Sequence, residues 1–245
     1  MKASIISLFV FAIASAAVHA QHTAPANVNQ FVDLAGTVGN SQGSGALSYV
    51  YSWQIGKKRK IEAGLGLRLT SVAGTKLTYI TAGPARLTRS FTTPFVIFFA
   101  GQKTENWDTL TVQRPFVNAL NVTINLGYNF TPRFGAGFNI DLIGATFGKK
   151  SSSVFKSNGE TSTDPASKPT TFNLLLTGDH DRGSLNSEFF LKYKINDKWA
   201  VRAIYQFLFT EYKTSNVKQT ASDGTVIDRF RNKANNFGAG LSYQF

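Results

Sequence analysis

Asn118–Phe130, NALNVTINLGYNF, alternates without a break between two faces. Leu120, Val122, Ile124, Leu126, Tyr128 and Phe130 form one; Ala119, Asn121, Thr123, Asn125, Gly127 and Asn129 form the other. Alternation with period two over such a length marks a strand whose sides meet different surroundings. Three more stretches repeat it. Phe134, Ala136, Phe138, Ile140 and Leu142 alternate with Arg133, Gly135, Gly137, Asn139 and Asp141. Trp199, Val201, Ala203, Tyr205, Phe207 and Phe209 alternate with Ala200, Arg202, Ile204, Gln206, Leu208 and Thr210. At the C-terminus Phe237, Ala239, Leu241, Tyr243 and Phe245 oppose Asn236, Gly238, Gly240, Ser242 and Gln244. Every position of one face is apolar in these four strands, while the other face holds only Ala119, Ala200, Ile204 and Leu208 of that kind.

Weaker versions run through Gln30–Val38, Ala46–Ile55, Lys60–Val72 and Ser184–Ile195, bringing the expected total to eight strands. Short connections are expected at Gly56–Arg59, Thr131-Pro132 and Asn196–Lys198, a longer one at Gly39–Gly45, and long loops near 73–117, 147–183 and 214–234. An even strand count, strands of about ten residues, tight turns on one side and long loops on the other predict a transmembrane β-barrel. Closure satisfies all backbone hydrogen bonds within hydrocarbon, which an open sheet cannot do. Trp53, Tyr128, Phe134, Tyr193, Trp199 and Tyr243 lie beside the short turns, as an interfacial girdle requires; Phe147, Phe207 and Phe237 lie near the opposite rim. A soluble eight-stranded barrel would turn its apolar face inward. Here that face carries large residues, too bulky for eight strands to enclose, whereas Gly64, Gly66, Gly127, Gly135, Gly137, Gly238 and Gly240 suit a crowded interior.

The composition agrees. The chain of 245 residues is 42% hydrophobic and 16% charged, too apolar for disorder and sparsely charged for an ordinary soluble surface. With no cysteine it has no disulfide framework, thiolate metal site or cysteine nucleophile. Met1-Lys2, the apolar run from Ile5 to Val18 and the small residues Val18 and Ala20 predict a signal peptide over 1–20, leaving 21–245 as the barrel domain. A membrane-anchoring helix would need a longer apolar run.

The strand pattern and the terminal segment FGAGLSYQF resemble the small outer-membrane β-barrel family, whose eight-stranded members include the OmpA and OmpX membrane domains. The resemblance covers essentially all of 29–245. It implies an outer-membrane location in a Gram-negative cell and long loops outside that cell. It also implies that Phe237, Ala239, Leu241, Tyr243 and Phe245 are read by the barrel-insertion machinery. It does not imply one activity: such barrels serve as adhesins, anchors, porin-like conduits and lipid enzymes.

The predicted interior face carries Asp33, Glu62, Asp141 and Glu188 with Arg68, Lys192, Lys194 and Arg202. Buried charges are costly unless paired, so these are expected to form either a structural ion-pair network or a switchable gate. Asp179, His180 and Asp181 with Ser184 and Glu188 allow a serine–histidine–acid set to be drawn, and lipid deacylases and omptin proteases use such residues at the outer rim. Their motifs are not recognisable in this chain. No nucleotide loop, zinc spacing or calcium loop is present in the sequence, and no cofactor, metal site or catalytic residue is expected.

The net charge of +12 suits anionic headgroups such as lipopolysaccharide phosphates, or ordinary solvated loops. Nucleic acid is not an expected partner, because the bases are not clustered with stacking aromatics. Within the first long loop, Thr75–Thr81 and Asp108–Gln113 look strand-like, and the apolar run Pro94–Phe99 points to a β-rim or a docking surface. Ser151–Thr171, rich in Ser, Thr, Lys, Asn and Pro, is expected to be mobile. The expected role is a non-enzymatic membrane anchor whose loops meet an extracellular ligand. A narrow conduit for small or hydrophobic solutes is the alternative, and a lipid-modifying enzyme a further one.

Overall fold

The computed structural model describes residues 27–245 apart from 94, 95, 97, 98 and 177–180. The expected signal peptide, and Asp179 and His180, lie outside the described residues. What is described is all-β and antiparallel, and no helix in it is long and apolar enough to cross a membrane.

Eight long strands carry the architecture: β1 (Val28–Gly39), β2 (Gln42–Ile55), β3 (Ile61–Gly74), β6 (Phe116–Asn129), β7 (Phe134–Gly148), β11 (Leu185–Lys194), β12 (Trp199–Lys213) and β15 (Arg229–Gln244). Each pairs with its neighbour in that order, and β15 pairs back onto β1 from Phe31↔Gln244 to Val38↔Phe237. The ladders therefore form a closed circuit with no free edge along these strands. Close approach of backbones explains two glycines: a Cβ on Gly238 would strike the Gly36 carbonyl, and one on Gly144 the Leu120 carbonyl.

The total exceeds eight because the long loops make strands of their own. These are β4 (Lys76–Thr81), β5 (Thr109–Gln113), β8 (Ser151–Ser157), β9 (Glu160–Pro169), β10 (Phe172–Leu174), β13 (Gln219–Thr220) and β14 (Val226–Ile227). The chain bends at Gly74–Thr75, where a Cβ on Gly74 would strike Leu77 and crowd Pro115, and returns through Arg114 in a left-handed conformation. Beyond the bend, β4 pairs with β5 and with the start of β15; β5 pairs with β8, β8 with β9, and β9 with the end of β12. Because β12 and β15 pair with each other, these six strands close a second, smaller circuit above the first. The β1–β2 connection is low enough for β4 to pass over it, with Thr75 N–H donating to the Ser41 carbonyl at 3.1 Å.

Three expectations change here. Gly39–Gly45 is not a loop: the turn is Asn40–Ser41, and Gly43 and Gly45 are in β2, where they interrupt the visible alternation. Ser151–Thr171 is largely the β8–β9 hairpin, whose buried inner face is Ser151, Ser153, Phe155, Asp164, Ser167 and Pro169, with Ser153 and Ser167 bonded at 2.6 Å. The last strand starts at Arg229, inside the expected third long loop. The rim strands expected near 75–81 and 108–113 are present as β4 and β5. Of the apolar run, Val96 and Phe99 are exposed, Phe99 at 83%, and its other residues lie outside the described set.

Candidate functional site: the sealed interior

Burial is reversed from that of a water-soluble protein. Leu34, Val38 and Phe237 are 59%, 71% and 65% exposed, while Asp33, Arg68, Asp141, Glu188 and Arg202 are buried inside the circuit. The period-two pleat produces this directly, sending alternate residues of each strand to opposite faces. A bulge between Val122 and Thr123 on β6 and the Leu142 region of β7 switches the parity. Asp141 still points inward, but so does Thr146, and Ile143 and Phe147 face outward. The unbroken alternation expected through Leu142 gave no sign of that switch.

Inward residues stack in layers. At the short-turn end, Glu62 accepts from Asn29 at 3.1 Å and Asn129 at 2.8 Å, and Lys192 Nζ stands 3.3 Å from its other oxygen. One layer up, Arg202 Nη1 lies 3.1 Å from Asp33 and Nη2 3.8 Å from Glu188. Arg68 then joins Glu188, at 3.4 Å, to Asp141, at 2.6 Å. Asp141 also accepts from Asn121 Nδ2 at 2.6 Å and from the Asn186 N–H at 2.9 Å. Arg68 further donates to Asn139 and to the Asn186 carbonyl, and Ser242 donates to Asp33. The chain Asp33–Arg202–Glu188–Arg68–Asp141 thus crosses the interior through five strands. Lys194 lines the opening at the short-turn end rather than joining this chain.

Above the ions, Gln206 Oε1 accepts from Thr37 at 2.6 Å, Asn236 at 2.8 Å and Ser44 at 3.1 Å. Next comes an apolar core that strand alternation alone does not disclose: Leu77, Tyr79, Leu110, Val112, Phe155, Leu208, Tyr212 and Phe230, all buried within the second circuit. Tyr79 packs edge-on to Tyr212 at 5.2 Å, and Phe155 to Phe230 at 5.5 Å. Burial pushes the Tyr79 hydroxyl far above its ordinary range. In sequence this core is signalled by the inward parity of Leu208, Tyr212 and Phe230 and by the strand-like runs 75–81 and 108–113 that carry Leu77, Tyr79, Leu110 and Val112; that these meet, and that Phe155 joins them, is not signalled.

On the outer face, aromatic rings cluster at the short-turn end, including Tyr51–Trp53 at 5.0 Å, Tyr128–Phe130 at 5.3 Å and Trp199–Tyr243 at 4.9 Å. The terminal Phe245 packs on Tyr243 at 5.4 Å, and its N–H donates to the Gln30 carbonyl at 3.0 Å. Phe237, Leu241, Tyr243 and Phe245 thus share one face of β15 and its end. Of the residues weighed for catalysis, Ser184 is buried, its hydroxyl accepting from the Glu211 N–H at 3.4 Å, and Glu188 is held by both arginines.

No family model and no curated protein matches the chain. Among the solved structures it resembles are small outer-membrane β-barrel proteins. The attachment invasion locus protein Ail of Yersinia pestis is 9% identical, with 89% of this chain and 99% of that one covered at a TM-score of 0.36. Neisserial surface protein A is 9% identical, with 89% and 96% covered at 0.32. A major outer membrane protein of Thermus thermophilus is 11% identical, with 89% and 99% covered at 0.31.

Proposed function

We propose that this chain is a non-enzymatic outer-membrane protein. Its eight long strands form an up-and-down barrel spanning the bilayer, and its six-stranded rim and loops face outward to meet an extracellular ligand. One observation carries this reading: charged residues are buried and paired inside while large apolar residues cover the outside. That arrangement is favourable only when the surroundings are hydrocarbon. The aromatic clusters at the short-turn end sit where a membrane–water interface would place them.

The anchor is preferred to a conduit because two successive layers fill the interior, an ion-pair chain and then an apolar core. An opening at the short-turn end, lined by Phe31, Glu62, Lys192, Lys194 and Arg202, leads toward those layers. The test is reconstitution of the mature protein into planar bilayers and vesicles. It is expected to insert, to resist unfolding in detergent below a sharp temperature and to give no stepwise conductance. Stable monomers in detergent-free buffer would refute the membrane reading, and regular conductance steps would favour the conduit.

A further inference from the structure

The short-turn end of the barrel is crowded with positive charge. Lys57, Lys58, Arg59 and Lys60 follow one another from the β2–β3 turn, Arg133 stands in the β6–β7 turn, and Lys194 and Lys198 flank the β11–β12 turn. Against these seven bases the same three turns hold one acid, Asp197. Glu62, inside the mouth, is already taken by Lys192, Asn29 and Asn129. The sequence holds no acid before Asp33, so the residues ahead of β1 can bring no counter-charge to this end.

The backbone beneath these bases is fixed. Thr131 Oγ1 accepts from the Arg133 N–H at 3.3 Å and the Phe134 N–H at 2.9 Å. Asn196 Oδ1 accepts from the Lys198 N–H at 2.9 Å and the Trp199 N–H at 2.8 Å. The Lys194 N–H donates to the Arg133 carbonyl at 2.8 Å, tying the second turn to the third. Arg59 closes its own turn at φ 50°, with its N–H on the Gly56 carbonyl at 3.0 Å. Glycine or asparagine usually takes such a left-handed position. An array held this firmly loses little freedom when something binds it.

Between the first two turns opens a cleft of about 420 Å³. Lys58, Lys60 and Lys194 line it together with Phe130 and Pro132, and Phe130 is 47% exposed. Lys194 lines the barrel mouth as well. The cleft therefore opens along the barrel axis, away from the apolar outer wall. Lipid reaches that wall; whatever reaches the mouth comes from the water beneath it.

Bases spread over three turns exceed the reach of one small anion and call for a ligand with several negative groups in a row. The apolar floor calls for an apolar group between them. We infer that the short-turn end docks an acidic polypeptide, extended across the three turns, with carboxylates on Lys58, Lys60, Lys194 and Lys198 and an apolar side chain on Phe130 and Pro132. The inference rests on the membrane-spanning reading, which puts this end in the aqueous space beneath the bilayer and makes the partner a protein of that space.

The test holds the full chain in nanodiscs of zwitterionic lipid, with empty discs as the blank. It is titrated with a fluorescent peptide alternating glutamate with leucine, and with the same peptide carrying glutamine for glutamate. Binding is read by anisotropy. The glutamate peptide is expected to bind about tenfold tighter than the glutamine one, and to weaken as salt is raised. Lys58→Gln combined with Lys194→Gln should lose about tenfold. Lys58→Arg combined with Lys194→Arg should keep binding, as should Lys150→Gln at the opposite end. Equal binding of both peptides, or an unaffected glutamine double variant, overturns the inference. So does displacement of the peptide by short-chain phosphatidylglycerol but not by phosphatidylcholine of the same length, because the turns then serve headgroups. Insertion is scored on the same discs: failure of the unmodified protein to insert sinks the membrane reading, whereas insertion with glutamate-blind binding sinks the docking surface alone.

Discussion

Arg68 is the residue on which the interior turns. It touches both Asp141 and Glu188, and Glu188 in turn leans on Arg202. Buried ions gain little over a well-packed apolar alternative, but removing one partner strands the others in a low dielectric. Arg68→Ala is therefore expected to cost about 3–5 kcal/mol, read as a shift in urea unfolding of the vesicle-inserted protein by tryptophan fluorescence. A loss under about 1 kcal/mol would mean that water reaches Asp141 and Glu188 and that the interior is not sealed. Which charges face inward was legible in the sequence, because strand parity alone decides it. Which pair with which was not: contacts such as Arg68 with Asp141 depend on the stagger between strands and on the bulge near Leu142.

At the scale of elements, the rim is tied down by single side chains. Asp164 on β9 accepts the backbone N–H groups of Ser215 at 2.6 Å, Ala166 at 2.9 Å and Asn216 at 3.0 Å. Burial would raise this carboxyl, but the backbone donors outweigh it and hold it below its ordinary range. A depressed folded-state value means that the stabilisation is complete above the unfolded value of about 3.9 and is lost as pH falls through the folded one. Hydrogen exchange at the Ser215 and Asn216 amides should accelerate below about pH 4, and Asp164→Asn should produce much of that acceleration at neutral pH. The long strands were readable because each is two-faced along its whole length. The β8–β9 hairpin was not, because Ser and Thr serve both its buried and its solvated side, and polar composition looks the same in a hairpin as in a loop. The β1–β2 turn was hidden in another way: Gly43 and Gly45 carry no side chain to mark a face.

For the whole molecule, the orientation of the apolar surface gives the sharpest test. Leu67 lies at mid-height on the outer wall, paired with Tyr49 and Val122 and 46% exposed. On a water-facing surface Leu67→Lys would change stability by no more than about 0.5 kcal/mol. Facing the middle of a bilayer it should cost about 2–4 kcal/mol, measured by the same unfolding assay in vesicles. The closed architecture, with its alternation and tight turns, could be anticipated from sequence. Of the smaller upper circuit, the rim strands β4 and β5 could be anticipated too, but not its closure, because strands distant along the chain meet only after β4 crosses above the β1–β2 turn.

That β1 is zipped to β15 has a temporal consequence. β1 must wait, unsatisfied along one side, until β15 has been made and delivered. Pairing of such remote segments is slow and leaves the waiting chain prone to aggregation. In the cell, an escort that keeps the nascent polypeptide open, and a catalyst that seals the seam, would matter more to the yield of this protein than its final stability.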